Sequence, residues 1–161
     1  MVWSVYARPL ESGDLNSTNQ FQPLIMPSDT VVRAFRTWIV YYGDPTFTNL
    51  KMKIYANDTA DDTPTVVIAT STNSYNLADI KETYSYGIKE IYFQFSDVAL
   101  KGADKYHLVL AADTYSPTTD VSYLSWRVAW PDPVYDKNFT VSGTNFLTAP
   151  FSITGVVGSG V

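Results

Sequence analysis

The stretch VVRAFRTWIVYY, residues 31–42, decides the fold of this chain. It consists mostly of β-branched and aromatic residues, which pack well on pleated surfaces, and it contains neither glycine nor proline. It ends at Gly43-Asp44-Pro45, where the proline favours a turn and cannot donate a hydrogen bond to a neighbouring strand. The sequence therefore predicts one long β-strand over residues 31–42.

The segments that follow have the same character. Over residues 50–56, apolar residues alternate with Lys51, Lys53 and Tyr55, which is the period of a strand with one buried face. The other predicted elements are strands at 66–71, 90–95, 106–112 and 122–130 and one short helical candidate at 75–83. Strands that recur after turns, without a regular alternation of strands and helices, indicate an antiparallel sandwich or barrel.

The composition excludes several classes of protein. Eleven Lys and Arg against 16 Asp and Glu give the 161 residues a net charge of −5. No basic run is present, so we expect no nucleic-acid partner. Neither a basic amphipathic stretch nor a long apolar run occurs, so we expect no contact with membranes, and the first residues lack the pattern of a secretory signal. The absence of cysteine excludes disulfides and thiolate metal sites.

Six strand-and-turn segments follow one another along the middle of the chain: Tyr42-Gly43-Asp44-Pro45, Met52-Lys53-Ile54-Tyr55-Ala56, Val67-Ile68-Ala69-Thr70-Ser71, Ile91-Tyr92-Phe93-Gln94-Phe95, residues 98–110 and Tyr123-Leu124-Ser125-Trp126. In this order they resemble a family of jelly-roll β-sandwich modules. Such modules occur in tailed-phage structural proteins, including capsid decoration and tail proteins, and as appendages of secreted bacterial carbohydrate-active enzymes and surface proteins.

This resemblance implies an architecture for the whole chain. The expected fold is all-β, an antiparallel jelly-roll β-sandwich over residues 21–135. Residues 1–20 then form an N-terminal arm, and residues 136–161 form a C-terminal arm or an added strand. A shared fold does not by itself imply a shared activity.

Catalytic chemistry finds little support in the sequence. The single histidine, His107, lies within a predicted strand, where we interpret it as a structural residue rather than a catalytic base or a metal ligand. Asp58, Asp61 and Asp62 place enough oxygen in one loop to attract Ca²⁺, but Asp is common in turns, and we favour a solvated loop. We therefore expect a protein that is not an enzyme and carries no cofactor.

Two interpretations are open for the aromatic residues near the end of the module. If Trp126, Trp130 and Tyr135 are exposed, they would stack on sugar rings, as in a carbohydrate-binding or receptor-recognition domain of a tail fibre or cell surface. Alternatively, they fill the core or a subunit interface, which large amphipathic rings also favour. We favour the second interpretation.

Both ends of the chain are rich in apolar residues. Trp3, Tyr6, Phe139, Phe146 and Phe151 need burial, either on added strands of their own sheet or against a neighbouring subunit. Together with the resemblance, this leads to the hypothesis of a virion structural protein, a capsid decoration (cement) protein on the capsid surface. Its partners would be the major capsid protein and copies of itself in a homotrimer, with glycans as partners in the alternative.

Overall fold

The computed structural model of the chain describes residues 6–7, 20–26, 28–84, 86–115, 123–128, 139–141, 144–146 and 151–157. In the first half of the chain the strands are β1 (Tyr6–Ala7), β2 (Gln20–Ile25), β3 (Thr30–Tyr42), β4 (Phe47–Thr48), β5 (Lys51–Asn57) and β6 (Pro64–Thr70), followed by one short helix, α1 (Leu77–Ile80). Those in the second half are β7 (Tyr86–Leu100), β8 (Lys105–Ala111), β9 (Thr114–Tyr115), β10 (Tyr123–Val128), β11 (Phe139–Val141), β12 (Thr144–Phe146) and β13 (Phe151–Val157). The chain is all-β with antiparallel sheets, as the sequence predicts.

Strand β3 is the centre of a five-stranded antiparallel sheet. On one side, β7 pairs with β3 along its whole length. The other side is shared by two strands, because β10 pairs with residues 39–42 and β13 pairs with residues 30–37. β1 continues the sheet beyond β10. The strand predicted over residues 31–42 is confirmed, and it organises this sheet.

A six-stranded antiparallel sheet has the order β12, β11, β2, β8, β5, β6. The pairing of β2 with β8 and of β8 with β5 brings together segments that are far apart in the sequence. A separate two-stranded ladder joins β4 to β9. The strands predicted at residues 50–56, 66–71 and 106–112 correspond to β5, β6 and β8 and are confirmed.

One hydrophobic core contains side chains from both large sheets. On β3, beyond the bulge between Val32 and Ala34, Phe35, Ile39 and Tyr41 are buried at odd positions, while residues 36, 38 and 42 lie on the opposite face. Alternate residues of β5 and β8, such as Met52 and Leu108, belong to the same cluster. The burial of each large apolar side chain contributes about 1.5–3 kcal/mol, so this shared core is what holds the two sheets together.

In the part of the chain that the structure describes, β7 pairs only with β3, and its outer edge is closed by the side chains of Asn73 and Tyr75 and by the backbone of Thr72. The Asn73 amide donates to the Tyr92 carbonyl and accepts from the Gln94 N–H, both at 2.7 Å. The Tyr75 hydroxyl donates to the Tyr92 carbonyl at 2.7 Å and accepts from the Tyr92 N–H at 3.1 Å. The Thr72 N–H donates to the Gln94 carbonyl at 2.7 Å. These contacts satisfy backbone groups that an edge strand would otherwise offer to another chain.

Gly87 lies where the ring of Tyr41 passes close to the backbone of β7. A Cβ at residue 87 would lie only 2.6 Å from Tyr41 Cζ, which is closer than real Cβ contacts allow. Tyr41 is only 2% exposed, and its hydroxyl accepts a hydrogen bond from the Glu82 N–H at 3.0 Å, so the ring is held in place. Residue 87 therefore has to be glycine for the ring to fit.

Gly87→Ala is expected to lower the free energy of unfolding by about 1–3 kcal/mol, because the added methyl group overpacks a fixed aromatic ring. Urea denaturation followed by fluorescence measures the loss. Ser96→Ala, at an exposed position of the same strand, is the control and should change stability by less than about 0.5 kcal/mol. Equal stabilities of the two variants would contradict this account of Gly87.

Candidate functional site

The first candidate surface is β6, which ends the six-stranded sheet. Its sequence, PTVVIAT, contains no charged residue. Val66 is 68% exposed, Val67 42% and Ile68 41%. Among the described residues, β6 pairs with β5 on one side and with no strand on the other. We call Val66, Val67 and Ile68 the aliphatic edge.

The exposure of the aliphatic edge follows from irregular pairing. Between the pairs Ile54–Ala69 and Tyr55–Val67, β6 advances two residues while β5 advances one, and a second irregularity follows towards the start of β6. Such bulges increase the local twist and interrupt the regular ladder. Ala69 still packs against the core. A partner would therefore meet this edge through its side chains more than through a long backbone ladder.

His107 lies on the face of the six-stranded sheet that is opposite to the core. It is fully buried, is paired with Tyr55 in the β5–β8 register, and is two residues from Val109. Tyr55 and Val109 form a small second cluster on this face. The Nε2 atom of His107 lies 2.6 Å from Asn57 Oδ1.

Burial lowers the pKa of His107 from 6.5 to about 4. The negative charge of Asp62 opposes this shift, and the positive charge of Lys105 adds to it. At neutral pH the ring is therefore uncharged, and its Nε2–H donates to the Asn57 carbonyl oxygen.

The acidic loop before β6 uses its carboxylates to build the turn. Asp58 Oδ1 accepts a hydrogen bond from the Ala60 N–H at 2.8 Å. Asp62 forms an ion pair with Lys105, with Nζ 2.6 Å from Oδ2, while Asp61 is exposed. Among the described residues, no group of three or more His, Cys, Asp or Glu side chains is arranged to hold a metal ion.

The second candidate surface lies on the five-stranded sheet, on the face away from the core. Tyr42 of β3 is opposite Tyr86 of β7, and their ring centroids are 6.2 Å apart with the planes tilted by 59°. Tyr92 lies further along β7 on the same face. These three tyrosines are 37%, 44% and 49% exposed, respectively.

Charged and aromatic side chains occupy the space between these tyrosines. The Arg36 guanidinium lies over the Trp38 ring, 5.3 Å from its centroid, and pairs with the Glu90 carboxylate at 3.1 Å. The side chains of Arg36 and Glu90 are 41% and 38% exposed. We call the whole surface the tyrosine face; it consists of Arg36, Trp38, Tyr42, Tyr86, Glu90 and Tyr92.

Four of the five predicted interface residues fall on described strands. Tyr6 is on β1, which pairs with β10, and Phe139 on β11 is opposite Phe146 on β12. Phe151 begins β13, which pairs with β3. Trp3 lies outside the described residues. The backbones of these four residues are thus paired within the chain's own sheets, and their role in an interface stays a prediction.

Of the three predicted sugar-stacking residues, only Trp126 lies among the described residues. Trp126 lies on β10, where its backbone is opposite Ile39 of β3. Trp130 and Tyr135 lie outside the described residues.

Sequence reasoning missed the tyrosine face and the exposure of the aliphatic edge. A period-two pattern links Tyr86, Glu90 and Tyr92, and it would have revealed one exposed face if the strand had been extended back beyond residue 90. The aliphatic edge had no comparable signal, because Val66, Val67 and Ile68 have the composition of a buried strand.

Comparisons of the chain with protein-family models, with curated proteins and with solved structures gave no match. In the part of the chain that the structure describes, no helix has the length and apolar character needed to cross a bilayer.

The lowered pKa of His107 predicts a pH-dependent stability. The ring is protonated near pH 6.5 in the unfolded chain but only near pH 4 in the folded chain. The neutral ring therefore contributes to the free energy of unfolding fully above pH 6.5, and this contribution is lost as the pH falls towards 4. Between pH 7 and pH 5 the loss should be about 2 kcal/mol.

The control is His107→Gln, which keeps an N–H donor for Asn57 but does not titrate. Urea denaturation at several pH values measures the free energy of unfolding of both proteins. Because their carboxylates titrate alike, the fall in this free energy from pH 7 to pH 5 should be about 2 kcal/mol larger for the unaltered protein than for His107→Gln. Parallel stability curves from pH 7 to pH 5 would show that His107 is not desolvated in the folded chain.

Proposed function

We propose that this chain is a virion structural protein with a jelly-roll β-sandwich architecture, a capsid decoration (cement) protein that binds the major capsid protein and acts as a homotrimer. The role is adhesive and has no catalytic step. The observation that carries the proposal is the aliphatic edge, an uncharged edge strand that exposes three large aliphatic side chains.

The contrast between the two sheet edges supports this proposal. The β7 edge is closed by Asn73 and Tyr75, whereas the β6 edge has no closing strand among the described residues. An exposed apolar edge promotes aggregation of a free protein unless charge, proline or a covering element protects it. Pro64 and the bulges limit backbone pairing, but they leave Val66, Val67 and Ile68 in contact with water. A permanent protein partner would cover them.

The architecture is compatible with a jelly roll. Two antiparallel sheets share one core, and strands that are distant in sequence are neighbours in each sheet, as in the pairing of β2 with β8 and of β3 with β13. Long connections between sheets are typical of Greek-key and jelly-roll topologies.

In the proposed mechanism, the aliphatic edge packs against a surface of the major capsid protein. Apolar burial gives about 25 cal/mol per Å², and bridging two capsid subunits makes each bound copy resist their separation. The predicted end-segment residues Trp3, Tyr6, Phe139, Phe146 and Phe151 would extend the contact. The shell is thereby strengthened against the outward pressure of a packaged genome.

The first test is quantitative mass spectrometry on purified particles from the source, which gives the number of copies of this chain relative to the major coat protein. An abundance comparable to that of the coat protein is expected for a shell component. A handful of copies per particle would move the role to a tail fibre or receptor-binding protein. Complete absence from particles would overturn the virion proposal.

Val66→Lys tests the role of the aliphatic edge. Since Val66 is 68% exposed, the lysine should not unfold the free protein, but burial of its unpaired charge against a partner should weaken attachment at least about tenfold. Cosedimentation with particles that lack the chain measures attachment. Ser96→Lys, which adds the same charge at an exposed position of β7, should bind like the unaltered protein. Equal binding of both variants would exclude the aliphatic edge as the contact.

A further inference from the structure

The tyrosine face has the dimensions of a site for an extended ligand. Tyr86 and Tyr92 are six residues apart on β7, which corresponds to about 20 Å along the strand. Tyr42 widens one end through its contact with Tyr86, with ring centroids 6.2 Å apart. The three tyrosines thus frame a strip on the outer face of the five-stranded sheet, with Trp38 and its charged neighbours at the middle.

The chemistry of this face combines apolar rings with polar groups. Each tyrosine has an apolar ring face and a hydroxyl group, so it can contact the C–H groups of a ligand and also form hydrogen bonds. Within the strip, the Arg36 guanidinium and the Glu90 carboxylate are both partly exposed. A ligand with apolar ring faces and many hydroxyl groups complements both kinds of group.

Charge favours a neutral ligand. Arg36 and Glu90 form an ion pair at 3.1 Å, so the two charges on the face cancel, although the whole chain has a net charge of −5. An anionic polymer would need unbalanced basic groups, and the face provides none beyond Arg36. The core of a protein–protein interface is usually depleted in charged residues, whereas here a partly exposed ion pair lies within the strip, beside Tyr92.

We infer that the tyrosine face binds a neutral, extended polysaccharide, whose sugar rings stack on Tyr42, Tyr86 and Tyr92 and whose hydroxyl groups bond to Arg36 and Glu90. This inference goes beyond the capsid role and does not depend on it, because the tyrosine face and the aliphatic edge belong to different sheets. It also assigns sugar binding to residues other than Trp126, Trp130 and Tyr135.

The test is affinity electrophoresis of the purified full chain in native gels that contain hydroxyethylcellulose, galactomannan or dextran. Retardation in at least one of these neutral polysaccharides is expected. Tyr86→Ala and Tyr92→Ala should each weaken the apparent affinity about tenfold through the loss of a stacking ring. Tyr86→Phe, which keeps the ring, should retain most of the binding.

Three controls make the outcome decisive. Circular dichroism establishes that the variants are folded, as expected for side chains that are 44% and 49% exposed. Val66→Lys should bind polysaccharide normally even if it no longer attaches to particles, so that failure of one proposal is separate from failure of the other. Gels with heparin test for binding driven by charge. No retardation in any neutral gel, retardation by heparin alone, or normal binding by both alanine variants would overturn the inference.

Discussion

The antiparallel pairing of β3 with β7 is the interaction on which the rest of the structure depends. Because side chains alternate along both strands, one ladder supplies Phe35, Ile39 and Phe93 to the core and presents Arg36 and Tyr92 on the other face. A shift of one residue on β3 would exchange these sets and bury a charged guanidinium, at a cost of several kcal/mol. The hydrophobic pattern therefore fixes the register, and the register places both the core and the tyrosine face.

Much of this ladder could be predicted from the sequence, since β-branched and aromatic runs with period two specify strands directly. The sequence predicts the bounds of a strand less accurately where tertiary contacts determine them. The pattern indicates a strand from residue 90, yet β7 begins at Tyr86 and includes Gly87. Glycine usually weakens a strand, but here the ring of Tyr41 leaves no space for a Cβ. The reason for this glycine lies on another strand, and only the fold brings the two residues together.

The candidate surfaces were less predictable than the strands for a related reason. The residues of β6 resemble those of a buried strand, and their exposure depends on the place of β6 at the end of its sheet, among the described strands, and on bulges opposite β5. Strand order arises from pairings between distant segments, which leave no local signal. Likewise, Tyr42 and Tyr86 form one site because β3 and β7 are neighbours, although many residues separate them in the chain.

The β7 edge and the β6 edge differ in how their backbone groups and side chains are covered, and this difference bears on the role proposed for each surface. At the β7 edge, Asn73 and Tyr75 occupy the backbone groups that a foreign strand would use, so the sheet that carries the tyrosine face is protected from pairing there. At the β6 edge, bulges discourage a continuous ladder, but the aliphatic side chains remain accessible. We propose an apolar protein partner for this surface and a neutral glycan for the ion-paired, hydroxyl-bearing tyrosine face. A protein fixed to a shell through its aliphatic edge could therefore leave the tyrosine face open to ligands in solution.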